Sequence, residues 1–257
     1  MLTVQQNYDI IPDDKMRKDV EMSIKAILFD LDGTLLPMDM EIFANAYFKG
    51  LSERLAHYGY DPKEAVKAVW AGTKAMKANE GAISNEELFW NVFCGIFGEK
   101  AREDKPYFEE FYNEDFEKIN EVCGYDSRAA QTVRTLKERG YRVALATSPV
   151  FPAVATESRI RWAGLSPDEF ELYTTYESIS YTKPNPQYYR EVARRMELTC
   201  EECLMVGNDI TDDMVAAETG MKVFLLTDCL INKDDADISV YSRGSFEELM
   251  CYVDSLD

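Results

Sequence analysis

The sequence is poor in histidine and in basic residues. Its 257 residues include one histidine, His57, and 28 lysines and arginines against 47 aspartates and glutamates, so the formal net charge is −19. This balance makes nucleic acid and anionic membrane surfaces poor candidates as partners. The same charge would repel an anionic substrate unless a cation lies where that substrate binds.

Long apolar runs are also lacking. No stretch approaches the length of a membrane span, and charged residues occur throughout residues 1–23, which therefore do not resemble a signal peptide. We expect residues 1–23 to form an N-terminal extension outside the folded core. The expected location is the cytoplasm, and no membrane partner is expected.

A cysteine cluster that could bind a metal is lacking as well. The six cysteines include one C-x-x-C pair, Cys200 and Cys203, with no second pair and no histidine nearby. Two thiols do not complete a tetrahedral zinc site. We therefore expect the cysteines to be reduced thiols, several of them buried.

What the sequence does contain is an alternation of short apolar strands and helices. Apolar runs predict buried strands at 24–29, 141–147, 171–175, 203–207 and 222–226, with a last edge strand at 236–240. The predicted helices between the later strands are typical of parallel βαβ units. The predicted fold class is α/β, a Rossmann-like open parallel sheet with helices on both faces.

Residues 37–125 interrupt this alternation. Apolar residues recur there at helical spacing, and capping patterns such as "DPKE" (61–64) and "SNEE" (84–87) begin new helices. No strand is expected, so this region is predicted to be an all-helical insert. The predicted domains are therefore an extension at 1–23, a core domain at 24–36 and 126–257, and an inserted helical domain at 37–125.

Polar segments follow four of the predicted strands. They are "DLDGT" (30–34), "TSP" (147–149), "KPNP" (183–186) and "GNDITDD" (207–213). In open α/β sheets, ligands gather beyond the carboxyl ends of the strands. The sequence therefore predicts a functional site at this edge of the sheet.

Asp30 and Asp32 are two residues apart and are expected to point the same way. Two carboxylates that face one spot repel each other unless a metal binds them or one of them is protonated. Mg²⁺ binds a few carboxylates together with water and phosphate oxygens, and Lys183 supplies a compact positive charge suited to a phosphate. These residues predict a site for a phosphate group and a magnesium ion.

Taken in order, the four segments are similar to the four motifs of the haloacid dehalogenase superfamily, and "DLDGT" resembles its phosphatase branch. The helical insert lies where that family carries a cap of the first type. The resemblance implies that Asp30 attacks phosphorus to form an aspartyl-phosphate, while Asp32 is the general acid and base. It also implies that Thr147 and Lys183 are catalytic and hold phosphoryl oxygens. The implied substrate-binding positions are Leu31, Gly33, Thr147, Ser148 and Lys183.

The implied cofactor is Mg²⁺. The resemblance places Asp30, the backbone carbonyl of Asp32 and a carboxylate of the fourth motif around the ion. One position departs from the family, because Asn208 stands where an aspartate usually follows the glycine. We expect Asp209 to be the ligand, with Asp213 behind it, and Asn208 remains an alternative through its amide oxygen.

These expectations together predict a Mg²⁺-dependent phosphatase that hydrolyses a small phosphorylated metabolite. A phosphomutase of the same fold and a non-catalytic phosphate-binding or regulatory module are the alternatives. Specificity is expected to come from the helical insert, whose Tyr, Phe and Met residues suit an apolar or ring-bearing leaving group. Trp70, Trp90 and Trp162 are expected to be packing residues. The sequence leaves open whether the protein is a monomer or a homodimer.

Overall fold

The computed structural model of the protein describes residues 23–256, so the predicted extension at 1–23 lies, apart from its last residue, outside the described residues. The strands are β1 (Ala26–Phe29), β2 (Arg142–Leu145), β3 (Leu172–Tyr173), β4 (Cys203–Gly207), β5 (Lys222–Leu226) and β6 (Ser242–Gly244). They form one sheet in the order β3-β2-β1-β4-β5-β6. Every neighbouring pair is parallel, as the alternation of strands and helices predicts.

Helices occupy the connections between these strands. Within the described residues the α-helices are α1 (Met40–Ala56), α2 (Pro62–Lys77), α3 (Asn85–Phe97), α4 (Lys105–Glu110), α5 (Ser127–Glu138), α6 (Ala153–Trp162), α7 (Pro186–Arg195) and α8 (Phe246–Asp254). A π-helical turn at Phe111–Asp115 and a 3-10 helix at Phe116–Val122 continue α4. No helix between residues 23 and 256 is long and apolar enough to cross a membrane.

Helices α2 and α3 begin at the capping residues that the sequence contains. The Asp61 carboxylate accepts hydrogen bonds from the N–H groups of Lys63 and Glu64, both at 3.0 Å. The Ser84 hydroxyl accepts one from the N–H of Glu87 at 3.1 Å. Side-chain oxygens of this kind satisfy N–H groups that have no partner inside the helix, which confirms both predicted helix starts.

Side chains of the sheet alternate between two apolar layers. Along β1, Ile27 and Phe29 belong to one buried cluster together with residues of α5, α6 and α8. Ala26 and Leu28 belong to a second cluster, which includes residues of α7. The four side chains are completely buried, as expected for a parallel sheet covered on both faces. The predicted fold class is confirmed.

In the segment at 40–122, helices are the only regular secondary structure, and they pack against the elements that cover one face of the sheet. Phe43 and Tyr47 of α1 contact the ring of Phe151, with centroids 6.2 and 5.2 Å apart. Phe116 stacks on Trp162 of α6 at 5.1 Å. Phe43, Tyr47 and Phe116 therefore join the first apolar cluster of the sheet.

The strand predicted at 236–240 is wrong. Ile238–Val240 is a 3-10 helix, and the edge strand β6 begins at Ser242. The Asp237 carboxylate accepts a hydrogen bond from the N–H of Ser239 at 2.8 Å, and such a local bond favours a turn over a strand. Because β6 is short, polar and mostly exposed, it lacks the apolar pattern that would have predicted it.

Candidate active site

The first polar segment forms a tight loop directly after β1. The Asp30 N–H still bonds the Val206 carbonyl of β4 at 2.9 Å, and the chain then turns so that the Thr34 N–H bonds the Leu31 carbonyl at 3.2 Å. The turn needs the glycine at position 33, where φ is +87° and a Cβ would lie 2.3 Å from Asn208 Nδ2. The first and fourth motifs are therefore packed directly against each other.

Lys183 lies at the centre of the site. Its ammonium group donates to Asp30 Oδ1 at 2.8 Å and to Asp213 Oδ1 at 2.6 Å, and its side chain is 1% exposed. Burial alone would lower the pKa of Lys183, but the carboxylates of Asp213 and Asp30 outweigh it and hold that pKa well above its usual value. This lysine is therefore a fixed cation beside the end of β1, in a protein whose net charge is strongly negative.

Asp213 reaches the centre of the site because β4 ends in a glycine. A Cβ on Gly207 would lie 2.1 Å from Asp213 Oδ2. The same oxygen accepts a hydrogen bond from the N–H of Asp209 at 3.0 Å. The Asp209 carboxylate is engaged locally, since its Oδ1 accepts from the N–H groups of Thr211 and Asp212 at 2.8 and 3.0 Å. Asp213 is thus the carboxylate of the fourth motif that contacts the central lysine.

The Asn208 side chain connects the fourth motif to the first. Its Nδ2 donates to the Cys229 carbonyl at 2.7 Å, which leaves Oδ1 facing the Thr34 hydroxyl at 2.9 Å. The same hydroxyl lies 3.1 Å from Asp30 Oδ2. The Asn208 oxygen is therefore separated from the Asp30 carboxylate by a single hydroxyl group.

Asp32 is held by an arginine that no sequence motif indicates. Arg159 of α6 is completely buried, and its Nη1 donates to Asp32 Oδ2. The second oxygen, Oδ1, is buried and has no hydrogen-bond partner within residues 23–256. Burial raises the pKa of Asp32, although the charge of Arg159 opposes this effect. A raised pKa favours the protonated carboxyl group that a general acid requires.

The remaining predicted positions border the same region. The Thr147 carbonyl accepts hydrogen bonds from the hydroxyl groups of Thr174 at 2.6 Å and Tyr188 at 2.8 Å, which fix the loop after β2. Ser148 Oγ is buried without a hydrogen-bond partner in the described part of the chain. The Leu31 side chain is buried in the apolar core, so only its backbone is available to a substrate.

A cavity of about 680 Å³ opens beside these residues. Asp30, Asp32, Thr147 and Lys183 line it, so the structure brings the four predicted catalytic residues together. The cavity is also lined by aromatic and methionine side chains, namely Met38, Met40, Phe43, Tyr47, Phe48, Trp70 and Phe151. Polar groups suited to a phosphate and apolar groups suited to an organic leaving group therefore border one space.

Of the three tryptophans, Trp70 is the one that is not buried. It is 53% exposed, whereas Trp90 and Trp162 are buried. The Trp70 ring stacks on Phe48 at 4.9 Å between centroids, with 25° between the ring planes. Gly72 lies on the side of α2 that packs against Phe89 of α3. Trp70 lies on the side of α2 that lines the cavity.

Sequence reasoning missed Thr34 and Arg159. Thr34 is part of "DLDGT", so its position in the motif was a usable signal, although no role was predicted for it. Arg159 had no such signal, because its contact with Asp32 spans 127 positions and Arg161 on the same helix is exposed. His57 is exposed beyond the end of α1, and all six cysteines are free.

The oxygen atoms of the site suit a hard divalent cation. Asp30 and Asp213 already hold a cationic group between them in the form of the Lys183 ammonium, and Asn208 adds an amide oxygen. Within residues 23–256 no three His, Cys, Asp or Glu side chains are grouped so as to hold a metal by themselves. Mg²⁺ is commonly bound by one or two carboxylates, with water and substrate phosphate completing its shell. The donor set therefore fits Mg²⁺.

Comparisons with known proteins identify relatives of this chain. A family model described as haloacid dehalogenase-like hydrolase matches residues 24–220. The chain is 26% identical over 206 residues to the pyrophosphatase PpaX of Bacillus velezensis, with 77% of this chain and 81% of that protein covered. It is 27% identical over 199 residues to the bifunctional riboflavin kinase/FMN phosphatase of Arabidopsis thaliana, with 77% of this chain and 47% of that protein covered.

The fold is also similar to that of solved structures. One is the HAD phosphatase from Thermococcus onnurineus, with a TM-score of 0.57 and 19% sequence identity. The match covers 90% of this chain and 98% of that one. At this level of identity the likeness shows the fold alone.

Proposed function

The chain belongs to the haloacid dehalogenase-like hydrolases, and we propose that it is a Mg²⁺-dependent phosphatase that hydrolyses a small phosphorylated metabolite through an aspartyl-phosphate on Asp30. The observation that carries this proposal is the buried Lys183 ammonium between the carboxylates of Asp30 and Asp213, with Asp32 lining the same cavity. A phosphoryl group in this cavity meets a nucleophile, a fixed cation and a general acid at once.

In the first step the Asp30 carboxylate attacks phosphorus, and Asp32 gives its proton to the oxygen that leaves. Lys183 and Thr147 hold the phosphoryl oxygens and offset the charge that develops on them. In the second step Asp32 takes a proton from the water that attacks the aspartyl-phosphate, which releases phosphate and restores Asp30. The two carboxylates thus have different tasks.

The metal would supply further neutralisation of the phosphoryl oxygens. We propose that Asp30, Asp213, Asn208 and the backbone carbonyl of Asp32 hold it. The placement of the side chains favours Asn208 over Asp209. The Asp209 carboxylate is already bonded to two backbone N–H groups, whereas Asn208 Oδ1 faces the Thr34 hydroxyl that also approaches Asp30.

The cavity favours a leaving group that carries a planar ring. Trp70 and Phe48 stack on each other where they line it, and such a pair offers aromatic surface to a ligand. One relative is named an FMN phosphatase and another a pyrophosphatase, so both compounds belong in a substrate screen. In this proposal the helical segment at 37–125 is a cap over the site. The cytoplasmic location and the choice between monomer and homodimer stay predictions.

The test is phosphate release from p-nitrophenyl phosphate, FMN, pyrophosphate and sugar phosphates, each with Mg²⁺ and with EDTA. We expect release that requires Mg²⁺ and that falls at least about 10³-fold in Asp30→Asn, because an amide cannot replace the nucleophile. Asp168→Asn, at an exposed position outside the cavity, serves as the matched control. An Asp30→Asn variant as active as wild type, or no release from any compound, would contradict the proposal. Transfer of the phosphoryl group back to a sugar instead of to water would favour the phosphomutase.

A further inference from the structure

Arg159 carries a buried positive charge that has no role in the proposed reaction steps. Its side chain lies on α6 and is completely buried, although arginine is almost never fully buried unless it is paired. Its Nη1 donates to Asp32 Oδ2. A buried ion pair is weak evidence for a purely stabilising role, because taking both charges out of water offsets much of their attraction. The burial of Arg159 therefore points to a role at Asp32.

The guanidinium group is held in place without help from Asp32. Its Nε donates to the Ala155 carbonyl at 3.3 Å, and its Nη2 donates to the Thr156 hydroxyl at 3.4 Å, both within α6. The guanidinium carbon also lies 4.4 Å from the centroid of the Phe151 ring, within the range of a cation–π contact. Arg159 is therefore a fixed donor, and the Asp32 carboxylate orients toward it.

The Asp32 carboxylate is anchored through only one of its oxygens. Oδ2 accepts the bond from Arg159, whereas Oδ1 is buried and accepts no hydrogen bond from residues 23–256. Buried oxygens without a partner are uncommon in folded proteins. The bond from Arg159 to Oδ2 limits rotation of the Asp32 carboxylate.

We propose that Arg159 is a positioning residue that orients the Asp32 carboxylate for proton transfer. The inference rests on the proposed function, in which Asp32 is the general acid and base. As the Asp30–phosphorus bond forms, the bond from phosphorus to the ester oxygen breaks and that oxygen takes the Asp32 proton. As water oxygen then binds phosphorus, the Asp30–phosphorus bond breaks and Asp32 takes a proton from the water. Arg159 keeps its own protons throughout.

This role makes turnover depend on the leaving group. The weakly basic leaving oxygen of p-nitrophenyl phosphate needs little help from an acid, whereas those of phenyl phosphate and glycerol 2-phosphate need more. A misplaced Asp32 carboxylate therefore slows the last two esters more than the first. A residue that only supported the fold would lower the turnover of all three by one common factor.

The experiment compares Arg159→Met and Arg159→Lys with wild type on these three esters at saturating Mg²⁺. In Arg159→Met we expect kcat/KM to fall about tenfold more for glycerol 2-phosphate than for p-nitrophenyl phosphate. Arg159→Lys keeps the positive charge, so we expect its kcat/KM values to lie between those of wild type and those of Arg159→Met. The matched control is Arg161→Met on the same helix, where the arginine is exposed and bonds Ser158 at 2.9 Å. Arg161→Met should leave the ratio of kcat/KM between the esters unchanged.

Two further variants keep the test decisive if Arg159→Met does not fold. Phe151→Leu removes the ring beside the guanidinium. We expect a smaller loss of kcat/KM with the same dependence on the ester. In an Asp32→Asn background, Arg159→Lys should have no further effect on p-nitrophenyl phosphate, because the two residues act as one unit. Equal losses for all esters, or a further loss in the double variant, would overturn the inference and leave the phosphatase assignment intact. A wild type without turnover, or a fully active Asp30→Asn, would overturn both.

Discussion

The edge of the sheet and the helices beside it present opposite kinds of side chain to one cavity. At the sheet edge, Asp30, Lys183 and Asp213 form an ionic network with contacts of 2.6 and 2.8 Å, almost closed to solvent. Across α1 and α2, Phe48 and Trp70 form an aromatic pair, and Trp70 is about half exposed. The ionic network suits any phosphate ester, whereas the aromatic pair suits only some leaving groups. In the proposed function, reaction and selectivity therefore reside in separate parts of the molecule, and separate substitutions should remove them.

Among the substitutions that distinguish these two parts, the largest effect is expected from Lys183→Met, which removes the cation of the ionic network. Turnover should fall at least about 10²-fold for every substrate, because the phosphoryl charge loses its fixed partner. The free energy of unfolding should also fall by about 3–5 kcal/mol, since Asp30 and Asp213 become buried charges without a counter-ion. Phosphate release and urea unfolding measure the two effects. Lys222→Met, at an exposed position of β5, is the control. A loss confined to ring-bearing substrates would mean that the ionic network does not act on every phosphate ester.

A smaller effect is expected from the residues proposed to surround the metal. Asn208→Ala should raise the Mg²⁺ concentration needed for half-maximal activity about tenfold, equally for ring-bearing and ring-free substrates. Asp209→Asn should change it less, because an amide oxygen can still accept from the N–H groups of Thr211 and Asp212. Titration of activity with Mg²⁺ separates the two variants. The reverse order would restore Asp209 as the ligand, as the sequence predicts.

The effect that reaches the fewest substrates is expected at the aromatic pair. Trp70→Ala should lower kcat/KM about tenfold for FMN, since an aromatic contact of about 1.4 kcal/mol corresponds to that factor. Pyrophosphate, which has no ring, should be unaffected. Trp70→Phe keeps an aromatic face and should recover most of the loss. Equal losses for FMN and pyrophosphate would mean that Trp70 supports the fold of the site and does not select the leaving group.

The location of the site could be predicted because it depends on local features of the chain. Asp30 directly follows β1, a strand of four apolar residues, so its carboxylate must lie at the carboxyl edge of the parallel sheet. The same reasoning applies to Thr147 after β2, and the bounds of β4 and β5 match their predicted ranges. β6 could not be predicted in this way, since its short polar sequence carries no apolar period.

The contacts within the site could not be predicted so directly. "GNDITDD" offers five oxygen-bearing side chains in six positions, and only the bends of the backbone decide that Asp213 contacts Lys183 while Asp209 bonds its own neighbours. The helical pattern of α2 likewise did not reveal that Trp70 faces a cavity, because periodicity identifies a stripe of residues and not what lies opposite it.

The amino-acid sequence was sufficient to predict the fold class, the sheet edge that bears the candidate site, and the four residues that meet there, namely Asp30, Asp32, Thr147 and Lys183. Those properties follow from apolar periods and from polar residues at strand ends, both of which are local. The tertiary structure alone decided that Arg159 holds Asp32 and that Trp70 lines the cavity. Contacts of this kind join residues far apart in the chain, so they depend on how the helices pack and leave no local pattern to read.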